Sequence, residues 1–223
     1  TYIVISLRSL KLAIISTLIC LILGYPIAYI MARAPEKAQK TMMTLIMIPM
    51  WMNFLIRTYA WMTILQDSGI MNSFLGFFGI GPLHVIGTET AVVLGMVYDF
   101  LPYMVLPIYT CVSKIDKYMW EAASDLGCNG FGTLCRVVLP LSVPGVISGI
   151  TMVFVPSVST FYISQKLGGA ETMLIGDVIE RLFKQGNNAN LGAALSLLLM
   201  ILVFICTGIM NKLGADEEGG VVV

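Results

Sequence analysis

The chain has 223 residues, of which 57% are hydrophobic and only 12% are charged, and its net charge is zero. Soluble domains carry about 25% charged residues, so this composition indicates an integral membrane protein. Its length predicts a single domain over residues 1–223. A neutral chain offers no electrostatic footprint for nucleic acid. Five scattered cysteines beside a single histidine argue against a disulfide framework or a metal site.

Five apolar stretches are long enough to cross the hydrocarbon core of a bilayer as helices. In chain order they are residues 10–31, 41–65, 90–112, 137–163 and 191–212. The polar stretch after the second span is predicted to hold a short surface helix around 73–75, and the one before the fifth an amphipathic helix over 172–183. The pattern predicts an all-α membrane protein.

Two of these spans contain charged residues, Arg57 in the second and Asp99 in the third. A charge at that depth costs a few kcal/mol, so it needs water or a partner. Asp99 therefore either faces a substrate path or pairs with Arg57, and both interpretations stay open. Arg57 is interpreted as a tether between helices, and Asn53 as a hydrogen-bonding group between helices. The candidate path residues are Asp99, Tyr98, Tyr103, Trp61 and Asp177.

A polar loop, residues 113–136, separates the third and fourth spans. Met119, Ala122, Ala123 and Leu126 recur at helical spacing, which predicts a short helix with one small apolar face. Gly127 follows as a typical helix stop. Such a helix suits either docking of another protein or packing on its own membrane domain, and periodicity alone does not separate the two.

The basic residues of the loops fall more often on the side of residues 113–136 than on the opposite side. This asymmetry predicts that the loop faces the cytoplasm, together with the C-terminus if five spans alternate. The sequence has no GxxxxGK[ST] phosphate cradle. If ATP drives transport, another polypeptide must hydrolyse it.

The loop also carries a spaced motif: Glu121-Ala122-Ala123, three residues, Gly127, nine residues, and then Val137-Val138-Leu139-Pro140. This resembles the signature loop of the permease subunits of binding-protein-dependent ABC importers, where an Ile stands in place of Val137. The resemblance implies a coupling helix that docks into a groove on an ATP-hydrolysing subunit. The coupling residues it implies are Glu121, Ala122, Ala123, Asp125, Leu126 and Gly127.

Two further stretches, residues 98–109 and 161–179, extend the resemblance over nearly the whole chain. They bring it nearest to the permeases of spermidine/putrescine importers. This implies a type I ABC importer permease bundle whose members usually have six spans, so a sixth is expected before Thr1 in addition to the five. It also implies a subunit that is not itself an enzyme and holds no cofactor or metal, with ATP and Mg on the partner ATPase.

The implied function is uptake of polyamines delivered by an external binding protein, at a bacterial inner membrane. The implied partners are a second permease subunit, two ATPase subunits and that extracytoplasmic binding protein, within a lipid bilayer and without nucleic acid. Importers of thiamine, iron or phosphonate share the loop, so these substrates stay open as alternatives. An ion-coupled secondary carrier that uses Asp99 directly is a further alternative, but it leaves the signature spacing unexplained.

Overall fold

The computed structural model describes residues 2–79, 81–169, 172–184 and 188–218, and these residues are predominantly helical. In chain order the helices are α1 (Tyr2–Arg33), α2 (Glu36–Trp51), α3 (Phe54–Leu65), α4 (Ile70–Phe77), α5 (Glu89–Val112), α6 (Lys117–Asp125), α7 (Gly130–Thr133), a π-helical segment (Leu134–Val138), α8 (Leu139–Ser159), α9 (Tyr162–Leu167), α10 (Ile175–Lys184) and α11 (Ala189–Glu218). Within the described part of the chain, four continuous helical runs are long and apolar enough to cross a membrane. They are α1, α5, the run from α7 through α8, and α11.

The core of the bundle is the packing of α5 between α1 and α8. Met104 and Ile108 of α5 are completely buried in it. Close approach of α8 depends on Gly145 and Gly149, because a Cβ atom at Gly149 would lie 2.9 Å from the Met104 sulfur, and one at Gly145 2.6 Å from the Cys111 Cβ. This GxxxG pair therefore serves packing within the chain.

The predicted second span, residues 41–65, is not one continuous helix. The chain leaves α2 at Met52, whose backbone is extended (φ −73°, ψ 145°). Asn53 then starts α3, where its Oδ1 accepts a hydrogen bond of 2.8 Å from the Leu55 N–H. The expected helix–helix role of Asn53 is thus wrong, since its side chain caps its own helix. Pro49 weakens the last turn of α2 because it has no N–H to donate.

The other predicted spans differ from the helices mainly at their ends. The third span, residues 90–112, matches α5 within one residue. The fourth was expected to run to 163, but α8 ends at Ser159 because Thr160 turns extended (φ −63°, ψ 144°) and α9 follows as a separate helix. The amphipathic helix expected over 172–183 begins at Ile175, as α10.

The two ends of the bundle carry different elements. The C-terminal ends of α1 and α5 lie at the end where α6 follows α5, and there Arg33 of α1 lies over the ring of Trp120 in α6. At the opposite end the Ser9 hydroxyl accepts a hydrogen bond from the Ile175 N–H at the start of α10. The Gly87 N–H donates to the Leu167 carbonyl over 2.8 Å, which joins α9 to the same end.

Candidate functional site

Helix α6 in the polar loop confirms the predicted short helix and its glycine stop. Asp116 begins it, with its Oδ1 accepting a hydrogen bond from the Tyr118 N–H. Gly127 has φ +79°, a left-handed backbone that favours glycine. The Cys128 N–H donates to the Ala123 carbonyl over 3.0 Å, the bond that completes a Schellman end. The chain is therefore turned sharply away from α6 at a fixed point.

The predicted apolar face of α6 is correct except at one position. Ala123 is buried against the protein's own surface, with 5% of its area exposed. The remaining members face outward, and Leu126 is 86% exposed. Tyr118, which was not part of the predicted face, is 75% exposed beside them. We call the outward set together with Tyr118 the α6 outer face; its members are Tyr118, Met119, Ala122 and Leu126. The acidic residues Glu121 and Asp125 are exposed beside it. This is an unpartnered apolar stripe with an acidic border.

The inner side of α6 is tied to α1 by an aromatic and cationic cluster. The Arg33 guanidinium lies 5.2 Å from the centre of the Trp120 ring and 5.8 Å from that of Tyr29. It also donates a hydrogen bond of 3.2 Å to the Tyr29 hydroxyl. Sequence reasoning missed this cluster, although a tryptophan in a short polar helix is a signal that the helix rests on something.

The π-helical segment connects the loop to the membrane helix α8. The Leu139 N–H bonds to the carbonyl of Leu134, five residues back, rather than four as in an α-helix. An α-helix would assign the Arg136 carbonyl to the N–H of residue 140, but Pro140 has none. The signature's Leu139-Pro140 therefore stands where the wider turn changes into α8.

The structure brings Arg57 of α3 against Asp99 of α5. The guanidinium nitrogen lies 3.4 Å from Asp99 Oδ1, and the two side chains are 9% and 2% exposed. Of the two interpretations of Asp99, this geometry favours the structural pair, and it agrees with Arg57 as a tether between helices. A path role for Asp99 stays a prediction.

The aromatic candidates lie closer to the surface than Asp99. Tyr98 and Tyr103 are 37% and 39% exposed. Trp61 of α3 packs edge-on against Tyr98, with ring centres 5.2 Å apart. These rings lie on α3 and α5 near the buried ion pair, and their π faces can attract a cation.

Asp177, the last candidate for the path, is buried at the start of α10. Its Oδ2 accepts a hydrogen bond of 2.8 Å from the Leu174 N–H, the backward half of a capping box. Burial raises the pKa of this carboxyl group above its usual value, and the Leu174 N–H partly offsets the rise. In this structure the group stabilises its own helix, so its substrate role also stays a prediction.

The comparisons with known proteins agree with one another. The family described as the binding-protein-dependent transport system inner membrane component matches residues 24–214. Over 204 residues the chain is 40% identical to the spermidine/putrescine transport system permease protein PotB of Escherichia coli K12, covering 91% of this chain and 74% of that relative.

Two solved structures share the fold at 17% sequence identity each. One is a bacterial ABC transporter involved in the import of the acidic polysaccharide alginate, with a TM-score of 0.77 over 94% of this chain and 79% of that chain. The other is the MetNI methionine ABC transporter in an inward-facing conformation, with a TM-score of 0.74 over 96% and 95%.

Proposed function

The chain belongs to the family of inner membrane components of binding-protein-dependent transport systems, and on that premise we propose that it is the transmembrane subunit of an ATP-driven polyamine importer. The likeness to PotB carries the substrate class, because it extends over nine-tenths of the chain at 40% identity. The helical multi-pass fold agrees with this role.

The coupling to ATP runs through α6 in this proposal. A separate ATPase subunit binds the α6 outer face, whose exposed apolar side chains are otherwise left in water. Two connections carry a displacement of α6 into the membrane domain. One is the contact of Trp120 with Arg33 at the end of α1, and the other is the turn at Gly127 into α7, from which the helical run continues through the π-helical segment into α8.

The remaining partners follow from the same proposal. A second permease subunit and a second ATPase complete the transporter, and an extracytoplasmic binding protein delivers the substrate at the end of the bundle opposite α6. The basic residues of the loops support a cytoplasmic position for α6. Hydrolysis of ATP, with its Mg, takes place on the ATPase subunits.

The exposed aromatic rings fit the chemistry of a polyamine. A polyamine carries several ammonium groups that lose water as they enter the membrane. Tyr98, Tyr103 and Trp61 offer ring faces that offset part of this loss. Asp99 lies in an ion pair with Arg57, and this pairing disfavours a secondary carrier that would use the free carboxylate for its coupling ion.

The test is uptake of radiolabelled spermidine and putrescine by cells that lack their own polyamine importers and express the assembled transporter. We expect uptake that depends on intracellular ATP, persists when the proton gradient is collapsed, and is unaffected by excess thiamine or phosphonate. Uptake of thiamine, iron or phosphonate but not of polyamines would overturn the substrate class. Uptake that follows the ion gradient would overturn the mechanism.

A further inference from the structure

A cleft opens at the end of the bundle opposite α6, and its lining differs from that of the apolar grooves elsewhere on the molecule. Its volume is about 590 Å³, and it lies between α3, the end of α8, α9 and α10. Aromatic rings share the lining with Gln165, Lys166, Glu180 and Lys184. By contrast, the grooves between α1 and α11 are lined almost entirely by apolar side chains.

An ammonium group already occupies an aromatic site in this cleft. The Lys166 Nζ lies 5.1 Å from the ring centre of Tyr59 and 5.8 Å from that of Tyr162. The two rings are nearly perpendicular, with centres 6.4 Å apart. A cation within about 6 Å of a ring centre is attracted by the ring's quadrupole. The two tyrosines thus form a site for an alkylammonium group, and the chain's own lysine occupies it.

The two rings are held more firmly than the lysine. Tyr59 belongs to α3, which the neighbouring Arg57 anchors to α5 through the ion pair with Asp99. The ring of Tyr162 packs against that of Phe54, with centres 5.9 Å apart. Lys166 instead brings its ammonium on a flexible stem of four carbons. Displacing the lysine therefore requires side-chain rotation and leaves the rings in place.

The carboxylate of the cleft has partners other than Lys166. Glu180 Oε1 lies 2.6 Å from the Lys184 ammonium, and its Oε2 accepts a hydrogen bond from Gln165. The lysine–carboxylate pair keeps the pKa of Glu180 below its usual value. Lys166 is therefore held in the cleft by the rings and by the Tyr59 hydroxyl, which also interacts with its ammonium, and another alkylammonium group can use both.

We propose that Lys166 is a tethered occupant of an alkylammonium site formed by Tyr59 and Tyr162, and that an ammonium group of the transported cation displaces it. The inference rests on the proposed polyamine function. When a cation enters, it replaces the lysine ammonium on the rings, so little attraction is lost. A neutral or anionic solute that displaced the lysine would leave the rings without a cation, and that attraction would be lost. Lys166 thereby excludes other solutes and lowers the apparent affinity for the right one.

The first experiment measures the spermidine concentration for half-maximal uptake by the assembled transporter. Lys166→Gln should lower it about fivefold, because the site no longer has an internal competitor. Lys166→Arg, which keeps a cation able to lie on the rings, should leave it unchanged or higher. Tyr59→Leu, which removes both the ring and the hydroxyl, should raise it, and Tyr59→Phe, which keeps the ring alone, should raise it less.

The decisive variant combines Lys166→Gln with Tyr59→Leu. If Lys166 competes for the rings, the gain from Lys166→Gln disappears in this double variant. If the gain comes only from removing a positive charge, it persists without the ring. Persistence of the gain, or a Lys166→Gln variant with unchanged or weaker half-saturation, overturns the inference.

A second readout separates this inference from the proposed function. Wild-type transporter that takes up no polyamine refutes the function but leaves the aromatic site to be tested without transport. Lysines carrying ¹³C-methyl groups report ring currents by NMR, and the Lys166 signal is identified by its loss in Lys166→Gln. We expect an upfield signal that returns to the solvent position in Tyr59→Leu and upon addition of ethylammonium. An unshifted signal in the wild type, or one that ethylammonium does not move, overturns the inference.

Discussion

The pair of Arg57 and Asp99 is the residue-scale feature on which α3 depends. Both side chains are almost completely buried, so each charge is compensated chiefly by the other. Loss of one partner leaves an uncompensated buried charge, which costs about 3–5 kcal/mol. Replacement of both by apolar residues removes that penalty.

We therefore expect Asp99→Asn to lower the free energy of unfolding of the permease by about 3 kcal/mol and so to reduce the amount of folded protein. The double variant Arg57→Leu with Asp99→Leu should restore most of that stability. The measurement is the thermal unfolding of the purified complex, monitored by size-exclusion chromatography. An Asp99→Asn protein of normal stability that has lost only polyamine uptake would instead assign Asp99 to the path.

Trp120 is predicted to be a positioning residue for coupling. Trp120→Ala removes the ring on which Arg33 lies, and a contact of this kind contributes roughly 1–2 kcal/mol. We expect the ATPase to remain bound while substrate-stimulated ATP hydrolysis falls about tenfold. Trp120→Phe, which keeps a ring, should recover most of the stimulation. A purely structural role would lower binding and stimulation together.

The structural role of a residue was predictable where its type strongly prefers one backbone conformation. The role of a polar residue that can form several kinds of hydrogen bond was not. Gly127 was placed correctly because a helix stop with positive φ favours glycine. Asn53 and Asp177 were misplaced or left open because the same side-chain oxygen can cap a helix, bridge two helices or meet a substrate. Only the backbone around them decides between these uses.

The α6 outer face makes a prediction at the scale of one element. Leu126→Asp places a charge at the C-terminal end of the α6 outer face, within the proposed ATPase contact, whereas Phe77→Asp changes a residue of α4 with the same 86% exposure. We expect Leu126→Asp to reduce copurification of the ATPase at least tenfold and Phe77→Asp to leave it unchanged. Equal effects of both variants would mean that the loss is one of solubility or insertion.

The length of an apolar stretch predicted the bounds of a helix well wherever the helix is continuous. It placed the end of α5 at the correct residue, because polarity changes abruptly there. It missed the break between α2 and α3 and the π-helical segment, since both are local changes of backbone geometry inside apolar sequence. Which helices pack against each other could not be predicted either, because periodicity identifies the buried face of a helix but not the helix that covers it.

At the scale of the whole molecule, the two ends of the bundle should lie on opposite sides of the membrane. We expect Leu126→Cys to react with a membrane-impermeant maleimide only from the cytoplasm, and Phe77→Cys only from outside. Both positions are highly exposed in the chain by itself, so absence of labelling reflects sidedness when the permease is expressed without the ATPase subunit proposed to cover Leu126. The five native cysteines must first be replaced, with Cys128 and Cys135 the most important because they lie in the loop beside α6.

Labelling of both positions from the same side would contradict the alternating arrangement. The sidedness was inferred from loop charges, which depend on composition and are therefore visible in the sequence. How the bundle meets a second permease was not predictable, because the exposed apolar side chains of α11 look alike whether they face lipid or protein.

The π-helical segment sets the rotational phase between the loop and the membrane helix. One residue in a helix corresponds to a turn of about 100° and a rise of about 1.5 Å. Deleting one residue from Leu134–Val138 would restore an α-helix and swing α7 and α6 round by that angle, pointing the outer face in a different direction. Pro140 lies in the first turn of α8, so the extra residue of the wider turn lies on the loop side and changes the direction of α7 and α6 but not the register of α8.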